Sequence, residues 1–152
     1  MKIVLTNSSP SFSQTNQGTR VILLWNTKIG IGIYDNQFIA NDRSYIPTEN
    51  LDKYQKISIR FTLASSISKC ITAKLSSNLI SANIFNPKRE IFTINLQTAY
   101  FYMNREFKSS HLQLNDSFLD FINFNLDFTK DKNQTLTLPS LDFKIEIDLH
   151  EN

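Results

Sequence analysis

Glycine is nearly absent from this chain, 3 residues in 152, and only 5 alanines, 2 valines, 2 histidines and 1 cysteine accompany it. So little glycine leaves no material for the glycine-rich loops that cradle phosphates. A single thiol, Cys70, excludes an internal disulfide. The apolar run at the N-terminus, Ile3 to Leu5, is too short for a signal-peptide core. Both features lead us to expect synthesis in a cytoplasmic, reducing compartment. No apolar stretch approaches the roughly 18 residues of a membrane span, so no span is expected. Charge is balanced, with 16 Lys+Arg against 14 Asp+Glu and a net +2. That argues against a disordered acidic or basic tail.

What is abundant is equally specific: Ile 18, Asn 16, Ser 16, Leu 16, Phe 12 and Thr 12. Isoleucine, threonine and phenylalanine favour strands, so the composition leans to β. The excess of Ile over Val has no packing reason, since both are β-branched. Residues with AT-rich codons (Phe, Tyr, Met, Ile, Asn, Lys) total 64, and those with GC-rich codons (Gly, Ala, Arg, Pro) total 17. We read this as the mark of an AT-rich genome such as many viruses, phages or low-GC microbes have. Three sequons begin at Asn7, Asn115 and Asn133, about the number chance supplies at this composition.

Period-two alternation dominates, the pattern of strands with one face in a core. At the C-terminus Leu141, Phe143, Ile145, Ile147 and Leu149 alternate with Asp142, Lys144, Glu146, Asp148 and His150. Ile57, Ile59, Phe61 and Leu63 alternate with Lys56, Ser58, Arg60 and Thr62. Ile71, Ala73 and Leu75 repeat the pattern, and so do Ile80, Ala82 and Ile84 before a turn at Asn86-Pro87. Val21 to Trp25 is apolar on both faces, as a central strand would be. Lys28 to Tyr34 alternates too, and Asp35-Asn36 predicts a hairpin returning through Phe38 and Ile39. The segment Glu90 to Met103 is too long for one ordinary strand, which predicts a bend or a crossing between sheets. A short helical turn is predicted near 116–121, ahead of a strand with Ile122, Phe124, Leu126 and Phe128 inward. Residues 7–18, NSSPSFSQTNQG, read as a surface loop or an arm that orders on a neighbour. The whole predicts one domain over residues 1–152: an all-β, antiparallel two-sheet sandwich, jelly-roll-like, of about nine to eleven short strands.

The residues for chemistry are missing or scattered. Nucleophilic catalysis needs a Ser or Cys beside a His base and an orienting partner, and His111 and His150 sit in no such motif. Cys70, Met103 and His111 are dispersed over separate segments, so neither a zinc nor a copper site is expected. Glu146 and Asp148 share a strand face, as paired glycosidase carboxylates would. They face outward among Asp142 and Lys144, however, which reads as a solvated face with cross-strand ion pairs. A non-enzymatic protein without metal or cofactor is the expectation.

Charge is segregated along the chain. Lys53, Lys56, Arg60, Lys69, Lys74, Lys88 and Arg89 fall in a stretch without any acid, a segment of +7. From Glu106 to Glu151, nine acids stand against four lysines, a segment of −5. A basic interaction surface and an acidic one at Asp142, Glu146 and Asp148 would follow, unless the strands lie side by side and neutralise each other. Gly30 and Gly32 offer a bare strand patch which, with Trp25 and Tyr34, is either a platform for a carbohydrate or another ligand, or a packing face. Tyr100, Phe101 and Tyr102 put aromatics on both sides of one strand.

Together these features predict a structural protein acting through contacts with its own copies or with other structural proteins. The codon signature adds the expectation of a viral or phage virion component: a capsid, minor capsid or decoration protein. The alternative is a carbohydrate- or ligand-binding module, and the third reading is a nucleic-acid contact through the basic segment.

Overall fold

The alternating segments form strands, because only an extended backbone sends successive side chains to opposite faces. The computed structural model describes residues 2–9, 11–26, 32–34, 37–39, 54–64, 70–95, 100–108, 121–130 and 142–151. Among the described residues there are eleven strands and no helix. They are β1 (Lys2–Thr6), β2 (Phe12–Gln17), β3 (Arg20–Asn26), β4 (Gly32–Tyr34), β5 (Gln37–Ile39), β6 (Tyr54–Ala64), β7 (Cys70–Ser77), β8 (Glu90–Asn95), β9 (Tyr100–Lys108), β10 (Phe121–Lys130) and β11 (Asp142–Glu151).

They build two antiparallel sheets, a six-stranded one in the order β5-β4-β1-β11-β6-β9 and a five-stranded one in the order β2-β3-β10-β7-β8. Four pairs nest inside one another along the chain: β1 with β11, β3 with β10, β6 with β9 and β7 with β8. They make one long ribbon of two arms, folded so that β11 lies against β6 and β10 against β7. The chain changes sheet from β1 to β2, from β3 to β4, from β6 to β7, and at each of the steps from β8 through β9 and β10 to β11. This winding is jelly-roll topology, with β2 and the β4–β5 hairpin added at the sheet margins.

The core is the sum of the inward faces. Ile57, Ile59, Phe61 and Leu63 of β6 meet Phe143, Ile145, Ile147 and Leu149 of β11, all buried, across a continuous register. Ile122, Phe124, Leu126 and Phe128 of β10 lie opposite them in the second sheet, with Val21, Leu23 and Trp25 of β3. Trp25 is the largest fully buried side chain. Its ring meets Phe12 at 5.2 Å, Phe143 at 5.7 Å and Phe124 at 6.1 Å between centroids. Its indole Nε1 donates to the Thr6 carbonyl at 3.1 Å, joining β3 of one sheet to the end of β1 in the other.

Several sequence expectations resolve here. The long segment from Glu90 divides into β8 and β9, which lie in different sheets, so it crosses as its length requires. Tyr34 pairs with Gln37, so the chain reverses between β4 and β5 as expected, although Asp35 and Asn36 lie outside the described residues. The helical turn expected near 116–121 also lies outside them, apart from Phe121, which opens β10.

Two expectations are corrected. Residues 7–18 are not throughout a surface loop or an arm, because Phe12–Gln17 forms β2, an edge strand in register with β3 from Phe12↔Trp25 to Gln17↔Arg20. The hairpin turn between them has Gly18 at φ +59, the left-handed value that a type II′ turn requires at its first position. The strand expected at Ile80, Ala82 and Ile84 is a loop. Asn83 Oδ1 accepts from the backbone N–H of Phe85 and of Asn86, at 2.9 and 2.8 Å, and this side-chain capture turns the backbone out of the sheet.

Candidate functional site

The charged residues singled out in the sequence are set by the register of β6 against β11 and β9. Arg60 lies directly opposite Glu146. Its guanidinium reaches Glu146 at 3.7 Å and Asp148 at 3.5 Å. Glu146 is also approached by Lys144 at 2.9 Å and Lys2 at 3.4 Å, so one carboxylate gathers three cations from β6, β11 and β1. Burial pushes the Glu146 carboxyl up, but hydrogen bonds and charge from Lys144 and Lys2 outweigh it and hold its pKa below the ordinary value. Lys56 pairs with Glu106 at 3.1 Å and Lys74 with Glu90 at 3.6 Å.

The basic and acidic segments therefore neutralise each other within the molecule at Lys56 and Arg60, while Lys74 is matched by Glu90, the acid that bounds the basic segment. The structure brings Arg60, Glu146 and Asp148 together, leaves Asp142 exposed at the start of β11, and puts Lys88 and Arg89 in the β7–β8 loop. Lys53 and Lys69 lie outside the described residues. The exposed Lys56–Glu106 pair contributes about 0–1 kcal/mol, and the face of the six-stranded sheet around Arg60, Glu146 and Asp148 is an ionic lattice rather than a cationic patch.

Trp25 and the glycine patch come from different strands. Trp25 belongs to β3 in the five-stranded sheet, whereas Gly32 and Tyr34 belong to β4 in the six-stranded one, and Gly30 lies outside the described residues. Of the two roles open to it, Trp25 has the packing one: its ring is wholly buried and offers no surface to a ligand.

The five-stranded sheet presents a different surface, which the sequence did not announce. Its outward positions are neutral around Ser13, Thr15, Ile22, Leu24 and Asn125, with Ile22 and Leu24 half-buried. At its margin runs β2. Gln17 and Arg20 flank a two-residue turn and so exchange the closing hydrogen bonds. Alternation then pairs Ser13, Thr15 and Gln17 with β3, and directs the backbone groups of Gln14 and Asn16 away from the sheet. Phe12 anchors the strand by packing on Trp25 and, at 5.5 Å, on Phe143.

At the opposite edge, β8 and β9 are the margins of their sheets. Arg105 closes the gap by donating from Nη1 to the Ile91 carbonyl at 2.6 Å, with its guanidinium 4.9 Å from the Phe107 ring centre. Ile91 is the extra residue of a bulge where Leu75 pairs with Phe92 and Ser76 with Glu90. A crevice of about 560 Å³ opens beside this clasp, lined by Asn83, Phe85, Asn86, Arg105 and Lys108 among others. For chemistry, the described residues offer Ser58 Oγ at 3.4 Å from His150 Nε2, an exposed pair, and no group of three or more metal-ligating side chains.

No protein-family model matches the chain, and no curated protein matches it. A solved structure of a carbohydrate-binding module specific for non-crystalline cellulose (CBM28) aligns with a TM-score of 0.37 and 8% identity, over 92% of this chain and 71% of that one. A likeness that distant transfers neither site nor ligand.

Proposed function

We propose that this is a non-catalytic structural protein that works through protein–protein contact, with a second copy of itself as the first partner. The observation that carries the reading is β2. Among the described residues it is a neutral edge strand in unbroken register, and its sequence, Phe-Ser-Gln-Thr-Asn-Gln, has none of the lysines, prolines or bulges that normally blunt an edge. Pairing β2 with β2 of another copy would continue the five-stranded sheet across a two-fold axis, with Ile22 and Leu24 shielded beside the seam. The AT-rich codon signature favours a virion component as the assembly in question.

The test is sedimentation equilibrium of wild type and Gln14→Pro. The substitution removes an outward N–H and no ladder bond, so it should leave the fold intact while abolishing self-association. A wild type that stays monomeric at high concentration would sink the proposal. The crevice beside Phe85 and Arg105 favours a second reading, a module for a small polar ligand such as a carbohydrate. Glycan-array binding that disappears on Phe85→Ala would support it.

A further inference from the structure

The innermost hairpin of the ribbon, β7 to β8, ends in a loop that holds two large apolar side chains in water. Ile84 is 92% exposed and Phe85 98%. Phe121, exposed at its edge, lies at the same end of the sandwich, because Asn78 Nδ2 donates to its carbonyl at 3.0 Å. The tip is built rather than slack. Besides the Asn83 capture, Asn86 Oδ1 accepts from the Glu90 N–H at 2.8 Å and Asn86 Nδ2 donates to the Glu90 carbonyl at 3.2 Å. Arg89 follows with a left-handed φ of 57.

Among the described residues, the charge left unpaired around this tip has one sign. At this end Lys56 and Lys74 are matched by Glu106 and Glu90, and Arg105 is engaged with the Ile91 carbonyl. Lys88 and Arg89, directly behind the apolar pair, and Lys108, which lines the crevice with Phe85, form no ion pair among the described residues.

We propose that this end of the sandwich docks on an anionic lipid surface, with Ile84 and Phe85 inserted at the headgroup level and Lys88, Arg89 and Lys108 facing the lipid anions. A membrane interface presents its requirements in that order, apolar depth beneath a negative surface. A nucleic acid fits less well, since an aliphatic Ile84 at the apex has nothing to stack on, whereas it gains from hydrocarbon. Neither the two apolar side chains nor the three cations suffice alone, so attachment is reversible and salt-sensitive. This surface is remote from β2, since β2 and β8 are opposite edges of the same sheet.

Vesicle co-sedimentation of the full chain tests it, with phosphatidylcholine alone and with phosphatidylcholine containing phosphatidylserine, beside a fluorescent single-stranded oligonucleotide. Wild type should sediment with the serine-containing vesicles only and be released by high salt. Ile84→Ser with Phe85→Ser should weaken binding by roughly tenfold or more. Lys88→Glu with Arg89→Asn, the asparagine tolerating the left-handed backbone, should weaken it by a similar factor. Ile84, Phe85 and Lys88 are exposed and Arg89 is half-buried, and an unchanged melting temperature separates lost binding from lost folding. Absence of wild-type binding to anionic vesicles, or binding undiminished in the Ile84/Phe85 variant, overturns the proposal. Oligonucleotide binding without vesicle binding overturns it in favour of nucleic acid.

Discussion

Replacing Trp25 with phenylalanine should destabilise the protein by about 2–3 kcal/mol, and the magnitude can be assembled from its surroundings. Phenylalanine leaves a void of about 40 Å³, worth about 1 kcal/mol in a core that relaxes little. The indole atoms removed contribute about another 1 kcal/mol of burial. The bond from Nε1 to the Thr6 carbonyl adds about 1 kcal/mol and no more, because that carbonyl also accepts from the Ser9 N–H at 3.2 Å and is not orphaned. Domains of this kind have about 5–15 kcal/mol in total, so the loss is a large share of stability. Urea unfolding followed by far-ultraviolet circular dichroism is the appropriate assay, since Trp25 is the one tryptophan and the variant has no indole signal. Trp25→Ala should cost more, about 3–5 kcal/mol. A Trp25→Phe cost below about 0.5 kcal/mol, with wild-type fluorescence readily quenched by acrylamide, would refute the burial of Trp25 and its tie between the sheets.

Three further outcomes follow from named contacts. Asn86→Ala removes both hydrogen bonds to Glu90 and should cost about 1–2 kcal/mol, with faster proteolysis within 80–89, read by limited digestion and mass spectrometry. Gly18→Ala meets no atom within 4 Å, so its cost is the left-handed backbone alone, about 1–2 kcal/mol by thermal melting, and Gly18→Asn should recover part of it. Glu146 has a folded pKa below its unfolded value of about 4.3, so its contribution is present above that pH and is lost as pH falls through the folded value. Glu146→Gln should therefore be less stable than wild type at pH 7, and urea melts of the two should converge toward strongly acid pH.

The strands legible in the sequence were those whose two faces differ in polarity. β6, β10 and β11 each carry four apolar residues at alternate positions, and each forms with that face buried. β2 was hidden because Gln14 and Asn16 on one side and Ser13 and Thr15 on the other are all polar. A polar strand exists there because a sheet margin asks only Phe12 to be apolar, while Gln14 Nε2 donates to Asn16 Oδ1 at 3.0 Å. Alternation misled at Ile80 to Ile84, where the hydrogen bonds of Asn83 and Asn86 decide the backbone and leave Ile84 outside. The charge split was real in the sequence, but its meaning depends on which strands are neighbours. Winding the ribbon sets residues 56–64 beside 142–151, so Arg60 meets Glu146 and Asp148 inside one molecule. Arg105 gave no sequence signal at all, since its partner is a backbone carbonyl exposed by a bulge.

The claim that β2 is a contact between copies is tested most directly by amide hydrogen exchange as a function of protein concentration. The N–H groups of Ser13, Thr15 and Gln17 bond to β3 and should be protected at every concentration. Those of Gln14 and Asn16 point away from the sheet, and should exchange freely in dilute solution and become protected as concentration rises. Exchange at Gln14 and Asn16 that stays fast and unchanged up to the highest concentration would mean that β2 is no contact between copies.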